Sequence, residues 1–263
     1  MALGLALTPA FAACGGAQPA PAAPAAAPAA AAPAADPAAD PIAAAVAHPD
    51  RWGEDRARDA DRKPAEVLRF FGLASGQKVA EMMAGRGYYA ELLSRVVGPQ
   101  GRVYVQNNAF VLQKFAAAPL AERLGRGGFG NVVRLDNELE APGLPTGELD
   151  AVLMILFYHD TFWMQADRPK MLAAIFASLR PGGVFGVVDH RAAKGHAADD
   201  VKTLHRIEED VVVREITAAG FVLDGRSDVL AHSADDGSKS VFDPAIRGRT
   251  DRFVLRFRKP ARP

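Results

Sequence analysis

The apolar positions of the chain follow two periods, one typical of strands and one typical of helices. Short, mostly apolar runs predict five buried strands, at residues 78–82, 102–106, 131–135, 150–157 and 184–189. Apolar positions at helical spacing predict the helices around and between them, at residues 64–73, 88–97, 109–124, 167–179 and 201–219. Residues 221–231 and 252–258 read as two closing strands without a helix between them.

Strands that alternate with helices favour a parallel sheet covered on both faces. We therefore expect an α/β fold, a Rossmann-like, doubly wound and mostly parallel seven-stranded sheet. The two closing strands are joined by a polar loop too long for a hairpin turn, and we expect them to form an antiparallel C-terminal edge pair.

The first residues predict an export signal. Residues 1–13 are mostly apolar and carry no Lys or Arg, and they are too short for a transmembrane helix. The sequence F-A-A-C at residues 11–14 resembles a lipoprotein cleavage box with Phe in place of the usual Leu, and A-F-A at residues 10–12 also fits ordinary signal cleavage. We expect residues 1–16 to direct export to the periplasm, with Cys14 as a lipidated membrane anchor and a soluble periplasmic form as the alternative.

An Ala- and Pro-rich stretch follows at residues 17–47. Repeated Pro opposes a continuous helix, and the composition offers little to a core, so the stretch predicts a semi-rigid tether. The alternative is a low-complexity tail without a role. The remaining residues, 48–263, are the predicted domain.

Composition excludes several classes of protein. The 263 residues carry 31 basic and 31 acidic side chains, which gives no reason to expect nucleic acid as a partner. Cys14 is the only cysteine, so neither an internal disulfide nor a cysteine-based zinc site is expected.

The most informative motif joins the first strand to the next helix. Gly85, Gly87 and Ala90 match G-x-G-x-x-A, a dinucleotide-binding pattern that is weak by itself. Glu81, at the end of the strand, would repel a pyrophosphate and would suit a cationic ligand such as S-adenosylmethionine (SAM), which carries a sulfonium and an ammonium group. A tight turn with a solvated glutamate is the alternative.

Three segments resemble class I SAM-dependent methyltransferases. The sequence V-A-E-M-M-A-G-R-G at residues 79–87 is similar to their motif I, L-D-A-V at 149–152 to the start of their fourth strand, and L-R-P-G-G at 179–183 to the turn before their fifth strand. The resemblance extends from about residue 64 to residue 259. Residues 54–59, 158–160, 205–207 and 241–248 resemble, more narrowly, a group of predicted and often exported bacterial methyltransferases.

The resemblance implies SAM as the cofactor, held by Glu81, Ala84, Gly85, Gly87, Gln106, Asn107 and Asp136. Two positions depart from the family pattern. Met83 stands where motif I has a glycine, and Gln106 stands where the second strand usually ends in an acidic residue that binds the ribose hydroxyls. A hydrogen bond to a charged group contributes about 1.5–3 kcal/mol against about 1 for a neutral one, so we expect a weakened affinity for SAM.

Candidate catalytic residues follow the fourth strand, because ligands of such sheets bind beyond the carboxyl ends of the strands. We expect His159 to act as a base, oriented by Asp160 and accompanied by Tyr158; a hydrogen-bonded loop histidine is the alternative. At the end of the fifth strand, His190 and Arg191 are the candidate substrate residues, with a structural salt bridge as the alternative for Arg191.

No metal site is expected, since His205 beside Glu208 and Glu209 is better explained by hydrogen bonds on a helix. Two long loops, residues 191–200 and 232–250, should form a lid or substrate wall.

The sequence therefore predicts an exported SAM-dependent methyltransferase that acts on a small molecule. A degenerate, non-catalytic SAM-fold module of the cell envelope is the alternative. An NAD enzyme is a weaker one, because no acidic residue ends the second strand.

Overall fold

The structure is a computed structural model that describes residues 1–2 and 40–261. Residues 3–16 of the predicted signal segment, with Cys14, and residues 17–39 of the predicted tether lie outside the described residues. The fold below is that of residues 40–261. Within this part of the chain, no helix combines the length and the apolar character needed to cross a membrane.

A seven-stranded sheet runs through the domain in the order β3-β2-β1-β4-β5-β7-β6. The strands are β1 Lys78–Met82, β2 Arg102–Asn107, β3 Val132–Asp136, β4 Leu149–Ile155, β5 Leu179–His190, β6 Val222–Ser227 and β7 Arg252–Arg258. Strands β1 to β5 pair in parallel, whereas β7 lies antiparallel between β5 and β6. This confirms the predicted α/β fold with its antiparallel edge pair. The chain reverses direction across the sheet between β1 and β4, which is where such folds bind ligands.

Helices cover the sheet and the N-terminal side of the domain. They are α1 Pro41–Ala47, α2 Gly53–Arg56, α3 Asp59–Arg62, α4 Pro64–Phe71, α5 Tyr88–Val97, α6 Ala109–Val111, α7 Ala117–Gly125, α8 Asp160–Trp163, α9 Arg168–Ser178 and α10 Glu209–Ala218. A π-helical turn, Leu112–Ala116, joins α6 to α7. Pro119 falls in the first turn of α7, directly after the π-helical turn.

Alternating side chains of the strands supply two apolar clusters. In β1, Ala80 and Met82 belong to the cluster that includes α9 and α10, and Val79 belongs to the cluster that includes α4 and α5. Because successive side chains point to opposite faces, Glu81 shares its face with Val79 and lies on the side of α5. This places a carboxyl group inside the domain at the carboxyl end of β1.

Helix α1 differs from the prediction, since the tether was expected to continue to residue 47. Asp40 caps the helix by accepting hydrogen bonds from the N–H groups of Ile42 and Ala43, and its carboxylate pairs with Arg69. Ile42 and Ala45 are buried in the cluster that includes α4 and α5. Pro41 occupies the first helical turn, where proline is favoured, so the repeated prolines do not prevent this last segment from folding.

Two further boundaries were wrong. Strand β5 begins at Leu179, because residues 179–183 pair with the neighbouring strands through a bulge instead of forming only a turn. The predicted helix 201–219 begins at Glu209, because the backbone of Ile207 exchanges hydrogen bonds with His190 and Ala192 beyond the end of β5. That exchange carries His205 and Arg206 to the carboxyl ends of the strands.

Candidate functional site

A strained loop joins β1 to α5. Met83, Gly85 and Gly87 all have positive φ angles, of 52°, 57° and 84°. A Cβ on Gly87 would lie 3.0 Å from Cδ1 of Leu120, whereas a Cβ on Gly85 would meet nothing within 4 Å. Glycine is therefore favoured at position 87 both by the backbone angle and by the close packing of Leu120, whereas Gly85 leaves open space beside the loop.

Gln106 and Asn107 hold this loop in place. The side-chain oxygen of Gln106 accepts from the N–H of Met83 at 3.1 Å, and its amide nitrogen donates to the carbonyl of Asn137 at 2.6 Å. Asn107 accepts from the N–H of Gly85 at 2.8 Å. Both side chains are fully buried. These two residues thus stabilise the left-handed backbone at Met83, where motif I has a glycine.

Glu81 is a buried carboxyl group with an unsatisfied oxygen. Its side chain is 4% exposed, and Oε2 has no hydrogen-bond partner among the described residues. Burial raises its pKa to about 8, against the opposing influence of Arg62 and Arg123 and a hydrogen bond from the N–H of Ala90. Glu81 is therefore neither solvated nor neutralised by a direct ion pair.

An apolar pocket of about 580 Å³ opens beside Gly85, a volume usual for small-molecule sites. We call it the apolar pocket. Its aromatic walls are Phe110, Phe115, Phe157, Trp163 and Phe242, completed by Met83, Gly85, Val111, Asp160, Met164, Lys202 and His205. Flat apolar walls with a few polar groups at one side suit a ligand with an aromatic ring, such as an adenosyl group.

The predicted cofactor residues do not all meet in this pocket. Of the seven, Gly85 lines it; Glu81, Ala84, Gly87, Gln106, Asn107 and Asp136 are not among the described residues that do. Asp136 is exposed and is bonded to Arg134. The open face at Gly85 leaves room for an adenosyl ligand, and the side-chain oxygen of Gln106 already accepts one hydrogen bond from the N–H of Met83.

Four polar side chains converge next to the pocket. Nδ1 of His159 lies 2.7 Å from Oδ1 of Asp189. Nε2 of the same ring lies 3.0 Å from Oδ1 of Asp160 and 3.3 Å from Nδ1 of His205. Asp160 was expected to orient His159, and the structure adds Asp189 on the other side of the ring. Sequence reasoning assigned no role to Asp189, although its position at the end of β5 was the available signal.

The electrostatics of this cluster favour a protonated ring. Burial opposes the charge on His159, but the carboxylates of Asp189 and Asp160 outweigh it and raise its pKa to about 10. Burial would raise the pKa of Asp160, yet hydrogen bonds from His159 and His205 hold it well below its usual range. His159 therefore carries a proton at neutral pH in the protein as described, so a role as a base requires that proton to leave first.

Tyr158 takes no part in the cluster. Its side chain is fully buried, and its hydroxyl donates to Oε2 of Glu215 on α10 at 2.8 Å, while Arg168 pairs with the same carboxylate. Burial raises the pKa of its hydroxyl far above the usual range. The structure thus places this predicted catalytic residue in the core, where it joins α10 to the segment after β4.

A second pocket of about 420 Å³ shares Phe242 with the apolar pocket, and we call it the basic pocket. Its lining has four cations and a single carboxylate: Arg58, Arg62, Arg247 and Arg252, with Asp61. The other lining residues are Leu156, His190, Val241, Phe242, Gly248 and Thr250. The lining residues between positions 241 and 250 belong to the loop 232–250, which was predicted to form a lid or substrate wall. The sequence analysis assigned no binding role to the arginine-rich helices before β1, so this pocket was missed.

His190 lines the basic pocket, and Arg191 does not. Nδ1 of His190 lies 2.8 Å from the hydroxyl of Thr250, and burial with neighbouring positive charges holds its pKa well below the usual value. Arg191 pairs with Glu209 at 2.5 Å and Asp251 at 3.0 Å, which is the structural alternative raised from the sequence.

The comparisons with known proteins point to methyltransferases. No family model matches the chain. The chain is 29% identical over 143 residues to protein-L-isoaspartate O-methyltransferase of Methanosarcina mazei, covering 54% of this chain and 52% of that protein. It is 30% identical over 112 residues to the ubiquinone/menaquinone biosynthesis C-methyltransferase UbiE of Serratia proteamaculans, covering 43% and 42%. The chain thus spans about half the length of the curated relatives it matches.

Among solved structures, a SAM-dependent methyltransferase from Aquifex aeolicus superposes with a TM-score of 0.55 at 20% identity, covering 77% of this chain and 98% of that one. This likeness shows the fold. Over the matched segments the chain is thus similar to two methyltransferases, and its fold is that of a SAM-dependent methyltransferase.

Proposed function

We propose that the protein transfers a methyl group from SAM to a small-molecule acceptor that carries a negative charge. The observation that carries the proposal is the loop at Gly85. This loop opens onto an aromatic pocket at the point where the sheet reverses. The buried carboxyl of Glu81 lies near the end of β1, the strand that leads into the loop. An adenosyl donor fits the aromatic pocket, and a cation brought close to Glu81 would favour the ionised form of its carboxyl.

SAM supplies an electrophilic methyl group on a sulfonium, so the protein has mainly to align the acceptor and exclude water. The aromatic walls, Trp163 and Phe110 among them, would hold the adenine ring. Asn107 keeps the loop at Gly85 in the shape that admits the donor. Phe242 is 55% exposed and lines both pockets, so it stands between donor and acceptor.

The charge of the acceptor follows from the basic pocket. Arg252 is 5% exposed, and its guanidinium donates to the backbone carbonyls of Asp61, Gly248 and Thr250. Within residues 40–261 it has no ion pair, and neither do Arg62 and Arg247. Arg252 is buried and Arg62 is half-buried, and cations in such positions without a carboxylate partner favour an anionic ligand, because the charge is costly to leave unpaired. Arg247 is exposed and adds a further positive charge to the lining.

Calorimetry tests the donor. SAM and S-adenosylhomocysteine should bind the purified full chain, and NAD should not. Gly85→Ala should weaken binding several-fold, because the new methyl group enters the apolar pocket. Gly127→Ala is the matched control, since Gly127 also has a positive φ and open space for a Cβ, on a remote loop. Binding of NAD alone, or equal effects of the two variants, would contradict the assignment.

Thermal shift with benzoate and inorganic phosphate tests the charge of the acceptor. Either anion should raise the melting temperature of the wild type, and Arg62→Gln and Arg247→Gln should remove most of that increase. Arg214→Gln, an exposed arginine on α10, should leave it unchanged. If SAM binds and no anion stabilises the protein, the donor site stands and the anionic acceptor is refuted.

One observation favours the second candidate, a non-catalytic module. Gln106 is neutral and fully buried, and its amide bonds Met83 and Asn137, so the acidic ribose contact that the resemblance implies is absent at this position. If neither SAM, S-adenosylhomocysteine nor NAD binds, this candidate replaces the enzyme.

Export is proposed on the sequence alone. A lipid on Cys14 would place the protein in the membrane fraction of a bacterial host, and Cys14→Ser should move it to the soluble periplasmic fraction. Recovery of both forms from the cytoplasm would refute export.

A further inference from the structure

Three side chains each place one potential metal-ligand atom near a common point. Nε2 of His159, Nδ1 of His205 and one carboxylate oxygen of Asp160 all lie within 4.8 Å of one another. His159 and Asp160 follow β4, and His205 arrives from the segment that bridges to the end of β5. His205 has a positive φ of 54°, an uncommon backbone angle for a histidine, which indicates that packing holds it in this position.

The spacing of these atoms fits a single metal ion. Zinc binds histidine nitrogen and carboxylate oxygen at about 2.0–2.2 Å, so neighbouring ligand atoms are about 3.4 Å apart in a tetrahedron and about 3.0 Å apart at right angles. Here Oδ1 of Asp160 lies 3.0 Å from each ring nitrogen, and the two nitrogens lie 3.3 Å apart. The three atoms already have the separations that a shared ion requires.

The outer contacts have the form that metal sites use to fix their ligands. Metal-bound histidines commonly donate their second ring N–H to a carboxylate. Asp189 is fully buried and lies 2.7 Å from Nδ1 of His159, which leaves Nε2 to face the other two ligands. Trp163 donates to Asp160 at 2.6 Å and fixes that carboxylate as well. Both contacts hold the side chains in place, and Trp163 bonds the same oxygen, Oδ1, that lies 3.0 Å from each ring nitrogen. A bound ion would take the place of the protons that the two imidazoles now share with this oxygen, because metal binding releases protons from its ligands.

We propose that His159, Asp160 and His205 bind one divalent first-row transition metal ion. Two imidazoles and one carboxylate suit Zn²⁺, Fe²⁺, Co²⁺ or Mn²⁺ better than Mg²⁺ or Ca²⁺, which prefer oxygen ligands. Asp160 and His205 line the apolar pocket, so a remaining coordination position would face a ligand in it. This site does not depend on methyl transfer, and it stands or falls separately from the proposed function.

A titration with Co²⁺ tests the site. The full chain, without a polyhistidine tag and after treatment with a chelator, should bind one Co²⁺ and develop visible absorption bands. Zn²⁺ should displace it. We expect His205→Ala to weaken binding by at least about 100-fold and Asp189→Asn, which changes only the outer contact, by about 10–100-fold. Asp160→Asn retains the size of the side chain and replaces His205→Ala if that variant does not fold.

The matched control is His196→Gln. His196 also pairs with an aspartate, Asp200, at 2.8 Å, but it lies exposed on a loop and has no second histidine beside it. Its loss should change Co²⁺ affinity by less than about twofold, within the error of such titrations. Absence of Co²⁺ binding would overturn the proposal, and so would equal losses in folded His205→Ala and His196→Gln proteins.

Discussion

Replacing Glu81 by glutamine should remove a pH dependence of stability that the buried carboxyl imposes. Its pKa is about 8 in the folded protein against 4.5 ordinarily. Between these values the folded protein keeps a proton that the unfolded chain has released, so the free energy of unfolding falls as pH rises through this window. At about 1.4 kcal/mol for each pH unit, the loss approaches ~5 kcal/mol above pH 8. The positive charges that face Glu81, on Arg62 and Arg123, oppose the rise of its pKa and do not cancel it.

Urea unfolding of wild type and Glu81→Gln at pH 5 and pH 8.5 measures the effect. Glutamine resembles the protonated carboxyl, so the two proteins should have nearly equal stability at pH 5, and the variant should be the more stable by several kcal/mol at pH 8.5. Glu66→Gln, at an exposed glutamate on α4, is the control and should show no such crossover. A difference between wild type and Glu81→Gln that is the same at both pH values would refute the buried, neutral carboxyl.

Three further changes test the packing around the site. Gly87→Ala should lower the free energy of unfolding by more than Gly85→Ala, because both incur the cost of about 1 kcal/mol for a left-handed residue and only Gly87 also meets Leu120; equal losses in urea unfolding would contradict this. Tyr158→Phe should lower the free energy of unfolding by about 1–3 kcal/mol, because it loses a hydrogen bond to a carboxylate, and it should leave SAM binding unchanged. Weakened SAM binding in calorimetry would instead show that Tyr158 contributes to the site. A chain that begins at residue 48 should be about 2–4 kcal/mol less stable than one that begins at residue 40, since it lacks α1 with the buried Ile42. Equal melting temperatures would favour the predicted domain boundary at residue 48.

The fold was predictable because its signals are local. The apolar strand at residues 78–82 and the helical spacing at residues 88–97 each determine an element from their own residues, and their alternation leaves few topologies. The errors arose where distant backbone groups decide the structure. Ile207 bonds to residues at the end of β5, and this contact ends the helical pattern at residues 201–208.

The site was predictable only in part, for the same reason. Gly85 and His159 follow strand ends and were found from the sequence. The partners of these residues were not, because Asp189 and His205 come close only when the sheet is assembled. Gln106 stands in the sequence as a departure from the family pattern, but its hydrogen bond to the loop at Met83 depends on the register of β1 and β2.

The central claim is that the loop at Gly85 and the apolar pocket hold an adenosyl donor. A crystal structure of the full chain with S-adenosylhomocysteine tests it most directly. We predict electron density for the adenosyl group against Gly85 and between the aromatic side chains of the apolar pocket. Density in the basic pocket instead, or none at saturating ligand, would contradict the account.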